Sequence, residues 1–276
     1  MPDTWLSTFP GYKSLIAQTK KVYGRILQTG RVPQHIGFIM DGNRRYARKS
    51  KIEVKEGHNA GSESMAPLLE LCYECGVDTV TVYAFSIENF NRSDYEVSCL
   101  MSLAKAKFRV MCEHGELAEE YGVRIRILGN TALLPQDVLE VLRASEEITK
   151  NNTRATLNVC FPYTSRDEMT EAIKAVVGQA RDGLALDEIS AETIDANLYT
   201  RDCPPLDLVV RTSNTNRLSD FLLWQTVNEA PRVVVEFVNC LWPEFGPFRM
   251  AWVLLKWSYL KTYSGAYRNT EDRKDK

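Results

Sequence analysis

His35-Ile36-Gly37-Phe38-Ile39-Met40-Asp41-Gly42-Asn43-Arg44-Arg45 is the stretch on which the reading of this chain turns. Its first six residues form a short apolar run, and it stops abruptly at a carboxylate, a glycine and two guanidiniums. A run of that length bounded by turn-forming polar residues reads as a β-strand. Working outward, the chain alternates. Gly57 to Cys75 has helical spacing (Met65, Leu68, Leu69, Cys72) and ends at Gly76, a C′ glycine. Val77 to Ala84 is β-branched and aromatic, a second strand. Ser93 to about Tyr121 is helical, with Ser93 and Glu96 spaced as a capping box. Strands follow at Val123–Leu128, Ala155–Cys160, Leu206–Val210 and Arg232–Phe237. Helices are expected over Pro135–Thr149, Asp167–Arg181, Phe221–Thr226 and Phe248–Tyr263. This alternation predicts an α/β fold: one domain with a mostly parallel six-stranded sheet and helices on both faces. No Pro/Gly/Ser-rich linker divides it. Residues 1–32 read as a basic amphipathic extension, 33–263 as the α/β domain and 264–276 as a polar tail.

The composition excludes several classes. The 276 residues carry a formal net charge of −2, with 44% hydrophobic and 25% charged residues, so the chain is neither disordered nor collagen-like. Near-neutral charge argues against a protein that coats nucleic acid. Seven cysteines without regular spacing, and an N-terminus too polar for a secretory leader, predict reduced thiols in the cytosol. Cys72 and Cys75 lie in a helical pattern without a second pair, so buried thiols are favoured over zinc. His35 and His114 lack a supporting acid and read as non-catalytic. No uncharged apolar run reaches the roughly 18 residues of a spanning helix. From Tyr12 to Gln34 there is no acidic residue, and Ile16, Tyr23 and Leu27 share a helical face. That segment is either a helix docked on the core or a basic helix lying on an anionic membrane surface.

In an open parallel sheet, ligands bind beyond the carboxyl ends of the strands. Three polar segments fall there: Asp41 to Arg45, Phe85 to Arg92, and Arg211 to Ser219. Together they aim Arg44, Arg45, Arg92, Arg211, Arg217 and the single Asp41 at one crevice. Guanidinium groups bind phosphate oxygens in bidentate fashion, so a phosphate site is the natural reading. There is no Gly-x-Gly-x-x-Gly, and Asn43-Arg44 stands where a P-loop needs Lys-Ser/Thr, so ATP and dinucleotides are unsupported. Asp41 is either a salt-bridged residue or helix N-cap, or a Mg²⁺ ligand. The arginines favour the second, because Mg²⁺ is typically held by one or two carboxylates plus substrate phosphates.

These residues carry a resemblance. His35 to Ala47, Gly57-His58-x-Ala60-Gly61, Tyr83 to Arg92, Arg211-Thr212-Ser213 through Gln225, and Leu241-Trp242-Pro243-Glu244-Phe245 together resemble the ordered blocks of the cis-prenyltransferases. Cys160 to Arg166 and the Leu241 block look most like the fungal dehydrodolichyl diphosphate synthase subunits. The resemblance implies an enzyme that extends farnesyl diphosphate or another allylic diphosphate with isopentenyl diphosphate in cis geometry. It implies that Asp41 binds Mg²⁺, and that Gly42, Asn43, Arg44 and Arg45 cradle the allylic diphosphate. Arg211, Arg217 and Ser219 would hold isopentenyl diphosphate, with His58, Ser86 and Asn89 at the reacting centre and Arg92 as a supporting charge. A hydrophobic tunnel along the long helix, with Leu100, Leu103, Ala104 and Phe108 as lining or core, would take the growing chain. Residues 240 to 276 lack the Arg-x-Gly that homodimeric members use, which implies an accessory subunit of the Nogo-B-receptor-like or fungal type that supplies it. A second Mg²⁺ carboxylate is out of register, with Glu229 nearest. Asn214 replaces a usual glycine and is expected to take a left-handed turn. The aromatic helix with Phe248, Trp252, Tyr259 and Tyr263 reads as core or as partner surface. The lipid product implies peripheral contact with the endoplasmic reticulum membrane at its cytosolic face. The competing reading is a non-catalytic diphosphate-binding scaffold subunit.

Overall fold

The computed structural model describes residues 12–113, 121–228 and 232–263. His114, Glu229 and the 264–276 tail lie outside the described residues. Six strands form one sheet: β1 (His35–Ile39), β2 (Thr79–Tyr83), β3 (Val123–Leu128), β4 (Ala155–Cys160), β5 (Leu208–Thr212) and β6 (Val234–Val238). All pairings are parallel, in the order β3-β4-β2-β1-β5-β6. The expected single-domain α/β fold with a six-stranded sheet is therefore present.

Side chains alternate across this sheet, and the two faces differ. Ile36, Phe38, Val80, Val82, Ile125, Leu157, Val159, Leu208 and Val210 point into the larger apolar core. That face is covered by α4 (Met65–Glu74), α5 (Asp94–Glu113), α6 (Gln136–Thr149) and α10 (Pro247–Tyr263). The opposite face holds a smaller cluster, with Ile39, Cys160, Val209, Phe221 and Leu222, beside α7 (Ser165–Arg181) and the short helices α8 (Ala191–Asp195) and α9 (Leu223–Asn228). Buried polar residues also lie there, where His35 Nε2 and Asn158 Nδ2 meet Thr81 Oγ1 at 2.7 and 2.9 Å. His35 is buried and its pKa is lowered to about 4, chiefly by desolvation, so it stays neutral. Gly37 faces this cluster. A Cβ there would stand 3.1 Å from both Leu222 Cδ1 and Phe221 Cε1, so the absent side chain lets the 217–222 loop close down on β1.

Several element boundaries differ from expectation. The helix expected over Gly57–Cys75 is two, α3 (Val54–Glu63) and α4, with Ser64 between them. Pro67 sits in the first turn of α4, where its missing N–H and its ring cannot continue α3. Strand β5 runs two residues past Val210, which places Arg211 inside the strand and buries it. Strand β6 starts at Val234 rather than Arg232. Arg44 and Arg45 lie in a helix, α2 (Asn43–Ser50), not in an open loop. Ser93 Oγ accepts the Glu96 N–H at 3.4 Å, yet the Glu96 carboxylate turns away to other partners, so the capping box is only half made.

The N-terminal helix α1 (Tyr12–Leu27) packs against α4 and α10 through Tyr23 and the buried Leu27. Its Lys21, Val22, Arg25 and Ile26 remain exposed. No helix among the described residues is long and apolar enough to cross a membrane. The six cysteines whose side chains are described are free, and burial pushes the Cys72 and Cys75 thiols up. Replacing Gly37 by Val forces the Phe221–Leu222 loop off β1, and is expected to lower the unfolding free energy by about 1–3 kcal/mol in urea titration.

Candidate active site

Strand β1 lies between β2 and β5, so the crevice at its carboxyl end is where the connections part to opposite sides. The register pairs Ile39 with Arg211, and Asp41 follows two residues later. Arg211 Nη2 donates to Asp41 Oδ2 at 2.8 Å. The arginine side chain is 2% exposed and the carboxylate 31%. The backbone beneath is fixed by a reciprocal pair: Asp41 N–H donates to Thr212 Oγ1 at 3.2 Å, and Thr212 Oγ1 donates to Asp41 O at 2.8 Å. Trp242 N–H also donates to Asp41 O at 3.0 Å, while its Nε1 donates to Gly61 O at 2.7 Å. The Leu241-Trp242 block thus seats the Asp41 turn against α3.

Arg45, one turn into α2, donates to Asp41 Oδ2 at 3.3 Å and to Ser213 O at 3.1 Å, and also to Ser213 Oγ. Burial opposes ionisation of Asp41. Hydrogen bonds from Arg211 and Ser213, with the charges of Arg211 and Arg45, outweigh it and hold the carboxyl below its usual range. Gly42 is the N-cap of α2 at φ 111°, and a Cβ there would meet Leu241 Cα at 3.1 Å. With no side-chain cap at that position, the first-turn amides of α2 face the crevice beside two guanidiniums, an arrangement suited to an anion.

The segment after β5 forms the facing wall. Arg211 Nη1 donates to Arg217 O at 2.6 Å and to Ser219 Oγ at 2.7 Å, and Arg217 Nε donates to the same hydroxyl at 2.9 Å. The Ser219 hydroxyl accepts from both, which leaves its own proton to give. Five non-glycine residues here, Ser213, Asn214, Ser219, Asp220 and Leu222, have φ between 45° and 80°. Asn214 takes the left-handed turn expected of it. Such backbone persists only where its surroundings over-determine it, and such sites tend to be functional.

The third segment is a 3₁₀ turn, Ile87–Asn91. Ser86 Oγ accepts the Glu88 N–H at 3.2 Å and Asn89 Oδ1 accepts the Ser86 N–H at 3.2 Å. Ser86 and Asn89 thereby hold one another, with the Asn89 amide nitrogen left for other contacts. His58 on α3 and Arg92 both reach Glu96 Oε1, at 3.4 and 2.7 Å, and Arg44 stands 3.8 Å from Glu96 Oε2. Desolvation lowers the His58 pKa, against the raising effect of Glu96, which keeps the imidazole neutral at pH 7. Desolvation also lowers Arg92. Glu96 is the site-adjacent residue that sequence reading missed. Its spacing from Ser93 reads as a helix cap, whereas its tie to His58 spans 38 positions.

All twelve residues singled out in the sequence therefore fall on the carboxyl edge. Asp41, Arg45, Arg211, Arg217 and Ser219 join in one hydrogen-bonded network. His58, Arg92 and Arg44 gather on Glu96, and Ser86 and Asn89 form a separate pair. Two cavities, of about 520 and 140 Å³, lie elsewhere, toward the amino ends of the strands. Phe108 is in the main core, Leu100 and Ala104 pack partly buried against it, and Leu103 is half-buried. The Phe248, Trp252 and Tyr259 stripe of α10 is exposed rather than core, at 84%, 67% and 62%.

The chain matches the undecaprenyl diphosphate synthase family over residues 39–265. It is 42% identical over 254 residues to a dehydrodolichyl diphosphate synthase complex subunit of Schizosaccharomyces pombe, covering 92% of this chain and 95% of that protein. It is 46% identical over 222 residues to the human dehydrodolichyl diphosphate synthase complex subunit, covering 80% of this chain and 65% of the human protein. Lavandulyl diphosphate synthase of Lavandula x intermedia, solved with dimethylallyl diphosphate, has a similar fold, with a TM-score of 0.77 at 26% identity over 82% of this chain and 95% of that one.

The Asp41–Arg211 pair gives a pH test with a fixed sign. A folded-state pKa below the unfolded one stabilises above about pH 4 and loses that contribution as pH falls through the folded value. Asp41→Asn is expected to lower the unfolding free energy at pH 7 by about 1–3 kcal/mol, since it leaves Arg211 buried without a counter-charge. At pH 3 the gap to the wild-type chain narrows, as paired denaturant titrations at the two pH values would read.

Proposed function

The chain belongs to the undecaprenyl diphosphate synthase family of cis-prenyltransferases, and from that premise we propose that it is the catalytic subunit of a two-component polyprenyl diphosphate synthase. It adds isopentenyl diphosphate units to an allylic diphosphate, farnesyl diphosphate, and makes the long-chain dehydrodolichyl diphosphate needed for dolichol and protein glycosylation. The observation that carries the reading is the convergence of Arg45, Arg211, Arg217 and Ser219 with the ionised Asp41 at the β1/β5 crevice. Relatives named as dehydrodolichyl diphosphate synthase subunits, and a similar fold solved with an allylic diphosphate, support it.

The chemistry follows from the geometry. The allylic carbon–oxygen bond breaks and the diphosphate departs with the electron pair. The first-turn amides of α2, with Arg44 and Arg45, receive that growing negative charge in a partly desolvated site. The terminal alkene carbon of isopentenyl diphosphate bonds to the allylic carbon and a proton is lost. Arg211, Arg217 and Ser219 fix the second diphosphate, and the Ser86–Asn89 pair with neutral His58 lies at the reacting centre, Asn89 assisting proton removal. Arg92 and Glu96 hold His58 in place. Leu100, Leu103 and Ala104 on α5 offer the apolar wall of a tunnel for the growing product.

Mg²⁺ fits this site. Asp41 is ionised and partly exposed, both guanidinium bonds fall on its Oδ2, and one carboxylate with diphosphate oxygens is a common Mg²⁺ ligand set. No cluster of three His, Cys, Asp or Glu side chains suited to a metal occurs among the described residues, so the substrate would supply the remaining ligands. Asp41 would hold the ion, which would supply charge neutralisation for the leaving diphosphate.

Two surfaces extend the reading. The exposed Phe248, Trp252, Leu255 and Tyr259 on α10 suit an accessory subunit, of the Nogo-B-receptor-like or fungal kind, that brings the Arg-x-Gly absent from residues 240–276. The outward Lys21, Val22, Arg25 and Ile26 of α1 suit peripheral contact with anionic lipid at the cytosolic face of the endoplasmic reticulum.

Incorporation of radiolabelled isopentenyl diphosphate is expected to be slight for the chain alone and to yield long products with the accessory subunit. A complex without incorporation would make the chain a scaffold. Asp41→Ala abolishes elongation while the fold remains. Arg217→Ala raises the isopentenyl diphosphate KM roughly ten-fold or more, as loss of a charge-assisted hydrogen bond implies, with a smaller change in the allylic KM.

A further inference from the structure

The groups proposed at the reacting centre and those proposed to hold isopentenyl diphosphate stand on separate loops. Ser86 and Asn89 follow β2, whereas Arg217 and Ser219 follow β5. These strands are not neighbours, because β1 lies between them. No strand ladder therefore joins the two loops directly; Tyr83 Oη, at the end of β2, donates to Ser219 O at 3.3 Å, and Ile87 N–H donates to Tyr163 O at 3.2 Å beneath them.

A third element spans them. Thr164 caps the N-terminus of α7, its side chain accepting the Asp167 N–H at 3.3 Å. From that anchored turn, Arg166 donates in two directions. Its N–H and Nε grip the two carboxylate oxygens of Asp220 at 3.1 and 2.7 Å. Its Nη2 donates to Glu88 Oε1 at 2.9 Å. Asp220 directly follows Ser219, and Glu88 lies between Ser86 and Asn89. Ser165 reinforces the first grip: its N–H donates to Asp220 O at 2.8 Å and its Oγ accepts the Leu223 N–H at 2.9 Å. The second carboxylate oxygen of Glu88 accepts from Asn91 at 3.3 Å, so the 3₁₀ turn is held from both ends. Arg166 itself is largely exposed, and it touches none of the residues assigned to substrate. Surface ion pairs of this kind contribute little to global stability. Their geometric effect is different: a planar guanidinium donates along two fixed directions at once.

We propose that Arg166 is a positioning residue that sets the separation between the loop carrying Ser86 and Asn89 and the loop carrying Arg217 and Ser219, and so the alignment of isopentenyl diphosphate with the groups at the reacting centre. The inference rests on the reaction proposed above. Both diphosphates still bind when the strap is cut, but the reacting carbons lose register with the Ser86–Asn89 pair, and a displacement of about 1 Å costs as much as 100-fold in rate.

The test is steady-state kinetics on the native complex with its accessory subunit. Arg166→Ala is expected to lower kcat roughly ten- to 100-fold, with both KM values within about three-fold of wild type. Arg166→Lys recovers little, because a single ammonium cannot hold Asp220 and Glu88 in the same geometry. Glu88→Gln alone reproduces most of the loss, and adding it to Arg166→Ala costs nothing more, since the strap is already open. Glu88→Gln also stands alone as the test if Arg166→Ala does not fold. A wild-type kcat in Arg166→Ala, losses that multiply in the double variant, or a rise confined to KM each overturns the strap. A wild-type complex that incorporates no isopentenyl units overturns the reaction on which it rests.

Discussion

A guanidinium buried at the carboxyl end of an inner strand needs a fixed counter-charge, and the contact between Arg211 and Asp41 supplies it. The rest of the crevice is arranged around that requirement. Removing Arg211 from water is costly, and only an anion at hydrogen-bond distance offsets it. The parallel register of β1 and β5 brings the two residues together, and Thr212 and Trp242 hold the aspartate turn from either side. Arg211 Nε remains without a hydrogen-bond partner, so even the innermost cation of the site is not fully satisfied by protein. The pair leaves the rim positive, because Asp41 is shared by Arg211 and Arg45 while Arg217 donates to the neutral Ser219 hydroxyl.

Glycine and a few left-handed residues give this rim its shape. Gly42 brings the first turn of α2 under Leu241, and Gly37 lets Phe221 and Leu222 sit on β1. The Leu222 backbone then turns left-handed at φ 45°, a conformation that L-residues adopt only under tight restraint. Close packing on one face of the sheet is thus converted into the position of Ser219 on the edge above.

Much of this was legible in the sequence, and the misses have physical causes. Strands β3 and β4 were read to the residue because apolar and β-branched positions end there at turn-forming neighbours. The end of β5 was not, since a charged Arg211 normally signals the close of a strand, and only its cross-strand partner reveals that it is buried. Asp41 and the arginines stood out because strand ends in a parallel sheet are informative on their own. Glu96 did not, because its spacing from Ser93 also fits a helix cap, while its role comes from His58 and Arg44 on two other helices. Arg166 was hidden for the same reason: Glu88 and Asp220 lie 78 and 54 residues away along the chain.

The strand order also bears on how the molecule comes into being. Strand β1 emerges early in synthesis, but one of its two neighbours, β5, lies some 170 residues downstream, the separation of Asp41 from Arg211. Long-range pairing of this kind is slow, because the intervening chain must be gathered before the contact rewards it. A nascent polypeptide that has left the ribosome only as far as β4 presents β1 with an open edge and Asp41 without its buried counter-ion. The Asp41–Arg211 pair and the loop that carries Arg217 and Ser219 form only when the last third of the chain arrives, and until then β1 keeps one edge unpaired.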